Sequence, residues 1–313
     1  MKPERARGTS VSGMEFAQDD VMTWSYAERQ LIVVESDDAV EVVRRAANED
    51  AGSKLAEDLS DAAVQGARYG RVAGGSAAIV AGAVAGAAFV GAVHLWKTRK
   101  QANSANLRFL VVTSSQAESL SFPNGHPLPN VVYAGDPGVA GNYYPVANFH
   151  RFVFEGKVAE AIRLLRSLGA TEISVEYLEG FDRGAGVDFS ISSPAGEGGE
   201  VGGGVNRTNK ASSGAKITMH LSPTMPARTP GDLIWFGSEP LWREVANARL
   251  ESGLRAFTID VNYTDDFGIN ANLKAKIISV GLELGGKFTE YKETAWKLSG
   301  TFAEDLLPGA TSA

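Results

Sequence analysis

Few residues in this chain have the type and spacing that could do chemistry. The four histidines, His94, His126, His150 and His220, stand far apart. None shows the HExxH or HxH spacing by which imidazoles share a metal ion. Asp265-Asp266-Phe267-Gly268 contains a DFG triplet, but no Gly-rich loop, strand lysine or HRD accompanies it, so it reads as a turn. Asp182-Arg183-Gly184 reads as a turn as well. The acid pairs Glu172/Glu176 and Glu290/Glu293 have the spacing of a solvated strand face or a turn, and general acid–base work needs a geometry that spacing alone does not supply. No GxSxG nucleophile elbow occurs. The glycines of residues 192–214 are not followed by GK[ST], so they form no phosphate cradle. With no cysteine in the chain, thiolate catalysis, disulfides and Cys-ligated zinc are excluded. The expectation is a chain that is not an enzyme and has no catalytic residue, cofactor or metal.

Composition narrows the partners. An apolar fraction of 44% with 21% charged residues is that of a folded protein. A net charge of −7 argues against nucleic acid, whose phosphates call for a basic face, and against docking on anionic lipid through charge alone. The opening residues, MKPERARGTSVSGMEF, hold no apolar run that could form a signal-peptide core.

The other conspicuous stretch is Val72–Trp96, a run of about 25 residues without a charge, long enough to cross a bilayer core as a helix. Small residues recur every fourth place, at Gly70, Gly74, Ala78, Gly82 and Gly86. On a helix they form a flat stripe against which a second helix can pack closely. Trp96 sits where an interfacial anchor would, and Lys97, Arg99 and Lys100 follow it. Strongly apolar residues are few, however, and Ala and Gly contribute little to insertion. Three states stay open: a constitutive span, a helix that inserts conditionally, and a helix buried in a soluble bundle. The location expected is accordingly at a membrane, or in the cytoplasm with conditional insertion.

The elements that must position these features are legible in part. Residues 1–35 read as a polar tail with a short apolar run, Leu31–Val34, which could be strand or helix. Residues 36–100 read as helical, opened by Ser36-Asp37-Asp38, and 101–106 as a polar linker. Leu107–Val112 reads as a strand. A Pro- and Gly-rich stretch follows, whose Tyr133, Tyr143 and Tyr144 could line a site or pin a surface loop. His150–Leu168 carries helical spacing and ends at Gly169. Alternation marks strands at Ile173–Tyr177, Val187–Ile191 and Ile217–Leu221, with a soluble Gly/Ser-rich loop, 192–214, between the second and third.

The order then recurs. A helix opens at Ser238-Glu239-Pro240 and closes at Gly253, and alternating segments follow at Phe257–Tyr263, Ile278–Leu284 and Trp296–Phe302. The expectation is an α+β fold: an N-terminal helical segment containing the small-residue helix, then over 107–305 an antiparallel sheet with helices on one face, with or without an α-β-β-β duplication behind the recurrence. Residues 306–313 read as a tail.

Two function classes follow. One is a self-associating effector that acts on membranes, forming pores or perturbing the bilayer, with a soluble α+β body. The other is a tethered binding or scaffold module, or a soluble oligomer in which helix 72–96 is buried. Expected partners are further copies of the chain and a lipid bilayer, with any small-molecule or protein ligand unidentified.

Overall fold

A computed structural model describes residues 14–17, 20–47, 86–179 and 216–304. The fold is α+β, and the chain divides into two compact units. Unit 1 comprises Met1–Phe149 and Gly268–Glu290; unit 2 comprises His150–Phe267 and Tyr291–Ala313.

Unit 1 is built on two apolar runs that share one sheet, β2 (Leu31–Glu35) and β3 (Phe109–Thr113). Ile32, Val33, Val34, Leu110, Val111 and Val112 are all buried. A strand covered on both faces is typically parallel, and β2 indeed runs parallel to β3, as does β1 (Met14–Phe16) on its other side. Strands β4 (Val132–Gly135) and β5 (Tyr143–Pro145) complete the order β1-β3-β2-β4-β5, both pairing antiparallel. The expected antiparallel pairing holds at β4 and β5, while β1, β2 and β3 pair in parallel, and two strands of this mixed sheet come from the first 35 residues. The Pro- and Gly-rich stretch also contributes to this sheet: Tyr133 and Tyr143 are fully buried core residues, with Ile32, Val34, Leu110 and Val112 in the same cluster.

Parallel strands require a crossover. Between β2 and β3 it includes α1 (Asp37–Ala47) and α2 (Gly86–Ala105). At their contact a Cβ on Gly91 would lie 3.3 Å from the Ala39 Cβ, so the two helices approach closely. Helix α2 runs on through the residues expected to form a linker, up to Ala105.

Unit 2 follows the alternation read from the sequence. Helix α3 (Phe149–Ser167), whose first residue closes the first segment of unit 1, leads into β6 (Ala170–Glu179). Strand β7 (Lys216–His220) comes next, then α4 (Pro240–Ser252), β8 (Ala256–Tyr263) and β9 (Thr294–Phe302). Pro240 opens α4 at its first position and Gly253 closes it in the left-handed region, φ 68°, a conformation costly for any residue with a Cβ. The four strands are antiparallel throughout, in the order β7-β6-β9-β8.

Two of the expected strands differ. Val187–Ile191 lies outside the described residues, as does the 192–214 loop. Ile278–Leu284 forms no strand: Ala271–Ser279 is a helix, α5, and one bridge, Val131 with Glu283, is the extended pairing that follows it. Asn270 caps α5 by accepting from the Asn272 and Leu273 N–H groups, and the helix buries Ile277. Capping and burial together outweigh the local alternation. The two helix–strand sets are therefore not α-β-β-β copies.

Candidate functional site

The residues singled out for self-association and membrane contact divide in two. Gly70, Gly74, Ala78 and Gly82 lie outside the described residues. Gly86 is the first residue of α2. Ala92, Leu95, Trp96, Thr98 and Ala102 are buried in unit 1, while Lys97 and Lys100 are exposed. The Arg99 guanidinium lies 4.8 Å from the centre of the Trp96 ring and the Lys100 ammonium 5.8 Å, both within cation–π range. Two further contacts hold the helix: Thr98 Oγ1 donates to the Val280 carbonyl at 3.3 Å, and His94 Nε2 sits 3.1 Å from the Gly281 carbonyl. Trp96 is therefore a core residue of unit 1 in this fold. Among the described residues no helix is long and apolar enough to cross a membrane.

The other histidines are engaged one by one. His126 Nδ1 lies 2.7 Å from the Tyr133 hydroxyl. His150 Nδ1 lies 2.9 Å from the Tyr263 hydroxyl, in a buried aromatic cluster with Tyr291. His220 is 3.9 Å from the Glu172 carboxylate on an exposed strand face. Asp265 Oδ1 accepts from the Phe267 N–H, which makes the DFG triplet a turn. Among the described residues no three metal-ligating side chains converge.

Unit 1 holds a polar cavity of about 540 Å³ at the amino ends of β2 and β3, lined in part by Glu15, Glu28, Gln30, Asn103, Asn106 and Arg108. At the opposite end of β2, Glu35 is 4% exposed and accepts from the Asn130 N–H at 3.1 Å. Burial raises its carboxyl above the ordinary 4.5, against the pull of backbone hydrogen bonds. The folded state then holds this proton more tightly than the unfolded state, so stability falls as pH rises from 4.5 through the folded value. Glu35→Gln keeps an acceptor for Asn130 and removes the charge. Thermal melts should show a higher Tm for this variant at neutral pH, with the gain disappearing below pH 4.5.

The most organised surface is the sheet of unit 2. Its apolar face is covered by both helices: Phe154 of α3 contacts Tyr263 and Trp296, and Arg249 of α4 lies over Phe302. The other face carries polar residues in rows that run across the strands. The register aligns Thr258, Ser299, Ser174 and Thr218 in one row, and Asp260, Lys297 and Glu176, on β8, β9 and β6, in the next. The first row is all hydroxyl; the second alternates in charge across β8, β9 and β6.

Two backbone facts define the edges of this sheet. Phe302 N–H donates to the Arg255 carbonyl and Leu221 N–H to the Thr171 carbonyl, each extending its ladder by one pair. Because alternate residues of an antiparallel strand bond to opposite sides, the outward backbone groups are those of Ala256, Thr258, Asp260 and Asn262 on β8, and of Thr218 and His220 on β7. Lys157 Nζ donates to the Asn262 carbonyl at 2.7 Å and so closes one end of the β8 edge. Among the described residues no strand lies beyond β7 or β8.

Both long connections leave the same end of the sheet. Residues 180–215 join β6 to β7 and residues 264–293 join β8 to β9, and the register places Glu176, Lys216, Tyr263 and Thr294 toward that end. The second connection crosses units: Gly268–Glu290 belongs to unit 1, while its flanks belong to unit 2. No family model, curated protein or solved structure matches this chain.

Proposed function

We propose that this chain is a non-enzymatic, self-associating effector that acts on membranes, with the four-stranded sheet of unit 2 as the platform from which its copies assemble. The observation that carries the reading is the exit of both long connections from one end of an antiparallel sheet. Only helices and closed barrels satisfy every backbone group inside a bilayer. A sheet that can lengthen its strand pairs at one end, in a ring of copies, is a route to such a barrel.

The sheet edges support the self-association. Strands β7 and β8 run in opposite directions, so a second copy's β7 laid beside β8 continues the antiparallel order. In that register Thr258 meets a Thr218, which extends the hydroxyl row across the join. Pairing of this kind is head-to-tail and closes into a ring when the rotation allows. The outward N–H of Thr258 bonds to nothing in its own ladder, and proline is tolerated at such an edge position. Thr258→Pro is therefore expected to keep the circular dichroism of the native chain and to lose the oligomer in light scattering. An unchanged oligomer would remove β8 from the interface.

Release of a self-quenching dye from phosphatidylcholine/phosphatidylglycerol vesicles tests the reading itself. The native chain should empty them, and Thr258→Pro should not. A scaffold module, favoured by the polar cavity of unit 1, would leave vesicles intact.

A further inference from the structure

The segment Gly268–Glu290 is folded in unit 1, yet its sequence continues the hairpin of unit 2. The β8–β9 register pairs Ala256 with Thr301 and Tyr263 with Thr294. Extended without a slip, it pairs Phe267 with Glu290, Leu273 with Leu284 and Ile277 with Val280, and leaves Ile278-Ser279 as a two-residue turn. Each arm, 267–277 and 280–290, is then eleven residues long, and a strand tilted across a bilayer needs about 9–11.

The faces agree with the register. In β8 the side chains of Phe257, Ile259, Val261 and Tyr263 are on the buried face. Continued at period two, that face receives Asp265 at the base, ahead of the arm, and then Phe267, Ile269, Ala271, Leu273, Ala275 and Ile277 from the arm itself. From the other arm it receives Val280, Leu282, Leu284 and Phe288, broken by Gly286 and closed by Glu290 at the base. The opposite face receives Asn270, Asn272, Lys274 and Lys276, with Glu283 directly across from Lys274. One apolar face and one polar face with a cross-strand ion pair is the pattern of a barrel-wall hairpin.

The present fold hides part of that face and leaves Ala271 and Ala275 exposed. Ile269, Ile277, Val280 and Leu282 are buried in unit 1. Leu273 and Ile277 fall four apart on one side of α5, with Ile269 just ahead of its Asn270 cap. Four backbone hydrogen bonds, each 2.9 Å, tie the returning half to unit 1: Val132 N–H to Glu283 O, Glu283 N–H to Asn130 O, Ala147 N–H to Leu284 O, and Thr289 N–H to Ala147 O. A sequence that satisfies two periods, with a helix formed over the alternating part, is a local conflict of the kind that accompanies function.

We infer that residues 267–290 are a stored transmembrane hairpin: released from unit 1, they zip onto β8 and β9 in register and present their apolar face to lipid. The inference rests on the membrane-acting reading and names the element that enters the bilayer.

The cysteine-free chain permits a direct test. Single cysteines at positions 271 through 277 are labelled with a polarity-sensitive fluorophore and mixed with the dye-loaded vesicles. Emission should rise at 271, 273, 275 and 277 and stay flat at 272, 274 and 276. A rise with helical period, or a flat profile on vesicles that leak, overturns the hairpin and leaves the membrane reading standing. Absence of leakage from every vesicle, with a flat profile, overturns both.

A second variant acts through release. A Cβ on Gly286 would lie 3.5 Å from the Ala147 Cβ, a separation a disulfide spans. Ala147→Cys with Gly286→Cys should abolish leakage when oxidised and recover it on reduction, the reduced form controlling for strain at position 286. Leakage that ignores the crosslink counts against the hairpin.

Discussion

Gly300→Ala is expected to unfold unit 2. Gly300 lies in β9, between β6 and β8, and pairs with Ile173 on one side and Phe257 on the other. A Cβ at this position would sit 1.8 Å from the Glu172 carbonyl oxygen and 2.8 Å from both the Glu172 carbonyl carbon and Phe257 Cζ. The first two are backbone atoms of a central strand, at the irregularity where the β6–β9 register shifts between Ala170 and Glu172. A flexible side chain could move aside; this ladder has to break instead. Overpacking that side chains can absorb costs about 1–3 kcal/mol, and a clash with backbone should exceed it. Folded domains hold only about 5–15 kcal/mol in reserve, so one methyl consumes a large share. Urea titration followed through Trp235, Trp242 and Trp296 should show unit 2 unfolded or its midpoint sharply lowered. A midpoint within error of the native chain would mean that the β6–β9 pairing is not as described.

Arg249→Met should be nearly as damaging, for an electrostatic reason. Arg249 is 1% exposed and lies under the end of the sheet away from the two long connections. Its Nε donates to the Leu168 carbonyl and its Nη1 to the Leu254 carbonyl, each at 3.0 Å, and its Nη2 to the Ala303 carbonyl. These carbonyls precede β6, precede β8 and follow β9, so one planar guanidinium ties three strand ends together. The Phe302 ring covers it at 5.0 Å. Burial lowers its pKa, yet arginine remains charged at neutral pH. Methionine fills much of the volume but leaves three carbonyls without this donor, and each buried acceptor left unsatisfied costs about 1–3 kcal/mol. Arg249→Lys should recover only part of this, because a point ammonium does not reach three divergent carbonyls. Differential scanning calorimetry of the two variants gives the comparison, with Met below Lys and Lys below the native chain.

The two variants act on the sheet of unit 2; the proposed hairpin concerns the segment between β8 and β9. If both readings hold, Gly300→Ala should also abolish vesicle leakage, because the register that guides residues 267–290 onto β8 and β9 is lost with β9. Ala39→Cys with Gly91→Cys behaves differently. The Cβ positions lie 3.3 Å apart, and the oxidised pair holds α2 against α1 while leaving the hairpin free. Leakage should survive this crosslink, whereas insertion of the Val72–Trp96 run as a helix would be blocked by it.

Much of unit 2 was legible in the sequence because its signals are local. Gly169 and Gly253 end α3 and α4, Pro240 opens α4, and the alternation of Phe257, Ile259, Val261 and Tyr263 states which face of β8 is buried. Each signal is read within one element and needs no knowledge of its neighbours. The site was less legible. The hydroxyl row Thr258, Ser299, Ser174 and Thr218 joins residues from four strands, and nothing local announces it. The alternation of Ile278–Leu284 was visible, but its continuation back to Phe267 emerges only when the β8–β9 register is projected outward.

By itself, then, the sequence determined the α+β class, the caps, the buried faces of the unit 2 strands, and the absence of any thiol chemistry. Tertiary structure alone decided three things. It paired Leu31–Glu35 in parallel with Phe109–Thr113, because a short apolar run reads alike as strand or helix until a partner covers it. It buried Trp96 in unit 1, because a chain segment bordered by basic residues looks the same beside lipid and beside a core. It wound Ala271–Ser279 into a helix, because an Asn270 cap and the burial of Ile277 outweigh a period that would be satisfied only against β8 and β9.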